Sequence, residues 1–284
     1  MSQSELDFEI HRSELDNSVN YSFEYEGSLV ECRFVQRDTD QIIAYLSSQN
    51  GCNKSCRFCW LTQTGQTSMV DVTPELFVAQ LDTILWQNQE KIKPGIRLNV
   101  NFMARGEPLA NEHIIGNWPY LAGLLLDCAT LWGVNPDNVK LNLSTIIPRE
   151  LINEMTIQHI VENEPHTWIY WSYYSHQMAF RKRWMPKAAN VSDCLEFLGN
   201  YPRVVIHSAF IHQENDQIKN LKQMLYDHPN WKMNIVRYNP YSEAQGEEAH
   251  NIDEIQQELA EFADTHIVPR VGFDVKASCG MFLK

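Results

Sequence analysis

The chain has 284 residues, 44% of them hydrophobic, and its 23 basic and 36 acidic side chains give a formal charge of −13. That suits one α/β barrel-sized domain with a short extension and excludes wholesale disorder. The acidic balance argues against tight, unaided binding to naked RNA or DNA, which works by replacing condensed counterions with Lys and Arg; RKRWMPK at 181–187 is the best local basic run.

In chain order, residues 1–18 read as a polar, acidic arm, the opposite of a signal or transit peptide. Residues 21–35 alternate apolar and polar about Glu26-Gly27, a hairpin pattern. Residues 41–48 are the next strand and lead into a cysteine loop. Thr73 caps and Pro74 starts a helix with Phe77, Leu81, Ile84 and Leu85 on one face. A strand is expected at 96–103, then a helix after Pro119 with Tyr120, Leu124, Cys128 and Leu131 at helical spacing. Strands follow at 139–145, 167–174, 203–211 and 232–238. Helices are expected from about 149, at 192–200, from Asp216 to about Tyr226, and at 252–266. Six strands each followed by a helix predict a parallel sheet, with helices outside, closing part-way as an open (β/α)6 barrel over residues 41–284. Residues 1–40 form the arm and hairpin. In such folds the reactive groups sit at the C-terminal ends of the strands. No apolar run of about 18 residues suggests a membrane span. Seven cysteines, an odd number with three in one motif, favour a reducing compartment. The expected location is cytoplasmic and the default state a monomer.

The chemistry concentrates in GCNKSCRFCWLTQTGQ at 51–66, where Cys52, Cys56 and Cys59 form a C-x3-C-x2-C run. Three soft thiolates this close can hold an iron–sulfur cube and leave one of its irons open. The alternative is a structural zinc knuckle, which wants four ligands and finds no second cysteine pair here. Past the strands lie Arg105-Gly106-Glu107-Pro108, Ser144, Ser172 and Asn239. Each alone suits a turn or cap; together they suggest a polar pocket at one end of the sheet.

The cysteine run resembles that of the radical S-adenosylmethionine (SAM) superfamily. From about Glu31 onward the chain resembles the RlmN/Cfr family, radical SAM enzymes that methylate an RNA adenine. The matching segments are SSQNGC (47–52), NFMARGEPLAN (101–111), LNLST (141–145), the segment from Ser172 to Pro186, VRYNP (236–240) and VKASCG (275–280). The resemblance implies a [4Fe–4S] cluster on Cys52, Cys56 and Cys59, and SAM contacts from Gly106, Glu107, Ser144, Ser172 and Asn239. It further implies a glutamate near the target base at Glu31 and a methylated cysteine at Cys279. The implied acceptor is C2 or C8 of adenine in ribosomal or transfer RNA, and the implied electron donor is a flavodoxin or ferredoxin. The chain departs from the family where Tyr45 stands for a resolving cysteine, where Tyr174 stands for a histidine, and in having about 40 residues where a small RNA-binding domain is usual. These departures leave open a protein or small-molecule substrate for the same chemistry.

Overall fold

The alternation along the first forty residues becomes an antiparallel ribbon. A computed structural model describes residues 7–162, 164–215 and 217–284. The first six residues of the expected arm and the expected helix start at Asp216 lie outside them. Strand β1 (Glu9–Arg12) pairs with β2 (Val19–Tyr25), and β2 pairs with β3 (Ser28–Val35) up to Tyr25↔Ser28. Glu26 and Gly27, at φ of 50° and 72°, make the turn, a left-handed pair that matches the twist of the flanking strands. Strand β4 (Gln41–Tyr45) runs antiparallel to β3 and opens the parallel part of the sheet.

After β4 come the short helix α1 (Trp60–Gln63), α2 (Pro74–Gln87) and β5 (Arg97–Phe102), then α3 (Glu112–Leu131), β6 (Val139–Thr145) and α4 (Ile157–Val161). The chain continues through β7 (Thr167–Ser172), α5 (Met178–Trp184), α6 (Val191–Leu198), β8 (Val204–Ser208) and α7 (Lys219–Asp227). It closes with β9 (Lys232–Val236), α8 (Ile252–Ala260) and β10 (Thr265–Val268). The ten strands stand in chain order in one sheet, and every pairing from β4 to β10 is parallel. The protein is thus a mixed α/β structure around a large parallel sheet.

Three expectations are corrected. There are seven parallel strands among the described residues rather than six. The seventh, THIV, begins at Thr265 and His266, which were read as the last two residues of a helix; it pairs with Met233–Val236 instead, and α8 stops at Ala260. Helix α3 begins before Pro119: Asn111 caps it at Glu112, and a break at Asn117 (φ −160°, ψ 63°) lets Pro119 start the second segment without losing a needed amide. Its buried face is Trp118, Leu121, Ala122, Leu125 and Cys128, so Tyr120 and Leu131, expected inside, are 55% and 65% exposed. By length and composition α3 could cross a membrane; here this apolar face packs in the core, where Phe102 contacts Phe77 and Trp118.

The sheet curls. Tyr45, Phe102, Ser144, Ser172, His207, Val236 and Val268, at or near the C-terminal ends of β4 to β10, line one pocket. In a flat sheet, at about 4.8 Å per strand, the outer two of these seven would stand about 29 Å apart.

Asn111 ties a helix cap to the strand tips. Its Oδ1 accepts from the amides of His113 and Ile114, and its Nδ2 donates to the carbonyls of Ser48 (2.7 Å) and Val72 (3.0 Å). Asn111→Ala is expected to lower the unfolding free energy by about 2–3 kcal/mol, one lost cap plus two stranded buried carbonyls. Denaturant titration measures it.

Candidate active site

The pocket over the strand tips has about 1200 Å³ of empty space, mouth included. Cys52, Cys56 and Cys59 all face it, as do Gly106, Glu107, Ser144, Ser172 and Cys279. Eight residues of chain, 52–59, carry the three thiols. The Cys59 amide donates to the Cys56 carbonyl (3.1 Å), the Cys52 amide to Gln66 (3.1 Å) and the Arg57 amide to Trp184 (2.7 Å), so the loop is held from both sides. Phe58 stacks on Tyr174 at 4.1 Å.

Burial pushes all three thiols up, Cys52 to about 12, and neighbouring thiols add to the rise at Cys52 and Cys56. Without a metal, these thiols are neutral. A thiophilic centre that displaces their protons suits the trio. A single tetrahedral zinc, with Zn–S bonds of about 2.3 Å, wants sulfurs about 3.8 Å apart. Among the described residues, the set of three donors lying within 4.8 Å of one another is His212, Glu247 and His250, not the cysteines. The wider spread of the thiols fits a multi-iron centre better than one ion.

Gly106 is fixed by its own chain. At φ 105°, a Cβ there would lie 2.0 Å from Gln49 Oε1 and 2.4 Å from Ser48 Oγ. The close approach that requires glycine here is made to Ser48 and Gln49. The turn delivers Glu107, whose Oε1 accepts from the Leu109 amide (3.2 Å) and Oε2 from the Ile146 amide (3.1 Å). Burial pushes the Glu107 carboxyl up to about 7, against the pull of Thr145 and these amides. An ammonium group entering the pocket would offset that burial and restore the carboxylate.

Cys279 arrives on a separate arm. The Trp60 amide donates to the Gly280 carbonyl (2.9 Å), and Asn239 Nδ2 donates to the Cys279 carbonyl (2.9 Å) and to Ser278 Oγ (3.2 Å). Cys279 is exposed to solvent through the pocket mouth, yet protein on most sides pushes its thiol up to about 11, and Cys59 adds to the rise. Asn239 does not line the pocket. It holds the Cys279 turn, and its Oδ1 is buried without a partner.

Glu31 is the larger correction. It is fully buried and does not itself line the pocket, although its partner Arg33 does. One oxygen accepts from Arg105 Nε (2.7 Å) and the Leu283 amide (3.1 Å); the other accepts from Asn20 Nδ2 (2.9 Å) and Arg33 Nη2 (3.0 Å). No lone pair is left for a base. Arg33 also donates to the carbonyls of Ala277 (3.1 Å) and Met281 (2.8 Å), and Arg105 to that of Leu283 (2.8 Å). Glu31 is therefore the anionic centre of a buried clamp on the Cys279 arm.

Tyr45 stands in the pocket, its hydroxyl accepting from Arg37 Nη2 (3.3 Å). Cys32, Cys128 and Cys194 are all buried and none lines the pocket. Missed from sequence were Arg37 and His207 on the pocket floor; burial and Arg37 hold His207 near a pKa of about 4, hence neutral. His207, near the C-terminal end of β8, could have been flagged by its place on the strand, whereas Arg37 lies in the loop between β3 and β4 and carries no such signal.

No protein-family model matches the chain. The chain is 25% identical over 255 residues to "Dual-specificity RNA methyltransferase RlmN" of Nitratiruptor sp. (83% of this chain, 65% of that protein). It is 26% identical over 285 residues to the protein of the same name from Bdellovibrio bacteriovorus (95% of this chain, 66% of that one). The chain thus spans just under two thirds of the length of these curated relatives. Among solved structures, a radical SAM methyltransferase from Sphaerobacter thermophilus superposes with a TM-score of 0.73 at 17% identity, over 96% of this chain and 80% of that one. The chain therefore resembles RlmN RNA methyltransferases in sequence and has the fold of a radical SAM methyltransferase.

Proposed function

We propose that this chain is a radical SAM methyltransferase that moves a methyl group from SAM, by way of S-methyl-Cys279, to C2 or C8 of an adenine in ribosomal or transfer RNA. It would do so in the cytoplasm, as a monomer, with a flavodoxin or ferredoxin as donor. The observation that carries the reading is that Cys279 and the three thiols of the cysteine run share one pocket at the tips of a curled parallel sheet. Cys52, Cys56 and Cys59 would hold a [4Fe–4S] cluster, which supplies the electron for reductive cleavage of SAM.

The chain's own residues do the rest. Glu107 accepts hydrogen bonds from the SAM ammonium, the Gly106 turn fixes its direction, and Ser144 and Ser172 offer hydroxyls from β6 and β7. Asn239 acts from behind the pocket wall, holding the Cys279 turn through its Nδ2. Cys279, as thiolate, displaces the sulfonium of one SAM and keeps its methyl, releasing S-adenosylhomocysteine. Glu31 enters as a positioning residue that holds the Cys279 arm.

The test is anaerobic reconstitution with iron and sulfide, then SAM and reductant. About four irons per chain, 5′-deoxyadenosine, and a gain of about 14 Da on the Cys279 peptide are expected. A colourless protein holding one zinc on the cysteines overturns the reading. Glu107→Ala is expected to weaken SAM binding by about 10- to 100-fold, the loss of a charge-assisted hydrogen bond, read by equilibrium dialysis.

A second reading keeps the cofactors and changes the acceptor to a protein or small molecule. Tyr45 favours it, since outside the cluster set no second described thiol reaches the pocket to release an adduct from Cys279. Label passing from SAM into RNA excludes it.

A further inference from the structure

Beyond the C-terminal ends of β8 and β9, but outside the pocket, two loops bring His212, Glu247 and His250 together. Their donor atoms all lie within 4.8 Å of one another. The two imidazoles stack at 4.3 Å, and His250 Nε2 sits 2.9 Å from Glu247 Oε1. The loops do not meet by chance of side-chain rotation. Ile211 and Glu248 form an antiparallel bridge, the His212 amide donates to the Glu247 carbonyl (2.9 Å), and the Ala249 amide donates to that of Phe210 (2.9 Å). Backbone pairing therefore fixes the three Cα positions, and only side-chain rotation remains.

We propose that His212, Glu247 and His250 bind one divalent cation of the zinc class. Two neutral imidazoles and a carboxylate are a donor set that suits zinc, with water completing four-coordination. Bonds of about 2.0–2.1 Å want donors about 3.3 Å apart. The remaining closure falls on exposed rotamers: the Glu247 and His250 side chains are 67% and 65% exposed. A surface ion pair between His250 and Glu247 with His212 stacked beside it uses two of the three donors; a bound ion uses all three.

The site has a structural use. Glu248, inside the same loop, accepts from Arg237 Nε (2.9 Å) and the Tyr238 amide (2.7 Å), and Arg237 lines the pocket. The loop also braces the cysteine run, since Arg57 Nη2 donates to the Ala244 carbonyl (3.3 Å) and Gln245 Nε2 to that of Arg57. An ion joining residue 212 to residues 247 and 250 would pin the free end of this brace. The inference does not depend on the proposed function.

The test dialyses cluster-loaded protein anaerobically against roughly 10 μM zinc chloride and counts zinc, iron and protein. Wild type should hold about one zinc per chain beyond any on the cysteines. His212→Ala and His250→Ala should each weaken that site by about 100-fold or more, with iron unchanged. The difference between wild type and variant carries the result whatever occupies the cysteine loop. No zinc retained by wild type, or the same zinc in a His212→Ala/His250→Ala double variant, overturns it.

Discussion

Cys279→Ala is expected to abolish methyl transfer, by about 10³-fold or more, while iron and sulfide content stay at the wild-type level. The size follows from removing the atom that carries the group, for which no neighbour substitutes. Cys32, Cys128 and Cys194 are buried in the core, and Cys52, Cys56 and Cys59 sit on the other loop of the pocket. The unchanged iron matters as much as the lost transfer. Cys279 lies close enough to Cys59 for that thiol to add to the rise of its own, which is also the neighbourhood a fourth cluster ligand would need. Iron that drops with Cys279→Ala would assign it to the metal and remove the methyl-carrier role. Cleavage of SAM should persist in the variant, uncoupled from any acceptor.

Glu31→Gln should destabilise the protein by about 3–5 kcal/mol, because the guanidiniums of Arg33 and Arg105 stay buried without their counter-charge. Burial alone would raise the Glu31 carboxyl; Arg33 and Arg105 more than cancel that and hold it below the usual carboxylate value. The sign for pH follows. A depressed pKa contributes stability that is complete above the unfolded value, about 4.3, and is lost as pH falls through the folded value. The gap between wild type and Glu31→Gln should therefore be flat from neutral pH down to about pH 5 and close below about pH 4. Urea titrations across pH measure it. The variant should also expose the amide of Leu283 to hydrogen exchange, since that amide donates to Glu31. A carboxylate that touched the target base would show the reverse pattern, with transfer lost and stability intact.

What the sequence made legible was local. The cysteine run, the Thr73-Pro74 helix start and the strand tips at Ser144 and Ser172 depend on residues near one another in the chain, and the fold places these together. The clamp around Glu31 was not legible because its partners are distant: Arg105 lies 74 positions on and Leu283 lies 252. No spacing rule announces an ion pair across that separation. Asn239 looked like a strand-end ligand, and its hold on the Cys279 carbonyl, 40 positions away, appears only in three dimensions. The break at Asn117 hid the first turns of α3, because a proline two residues later reads as a start rather than as an interior position. In THIV, four residues are too few for period to separate a strand from a fraying helix end.

The clamp on the Cys279 arm also orders events in time. The thiols at 52, 56 and 59 and most strand tips are synthesised long before residues 277–282, which complete the wall of the pocket. Packed against Arg33 and Arg105, this late segment narrows an entrance that the earlier-made thiols face.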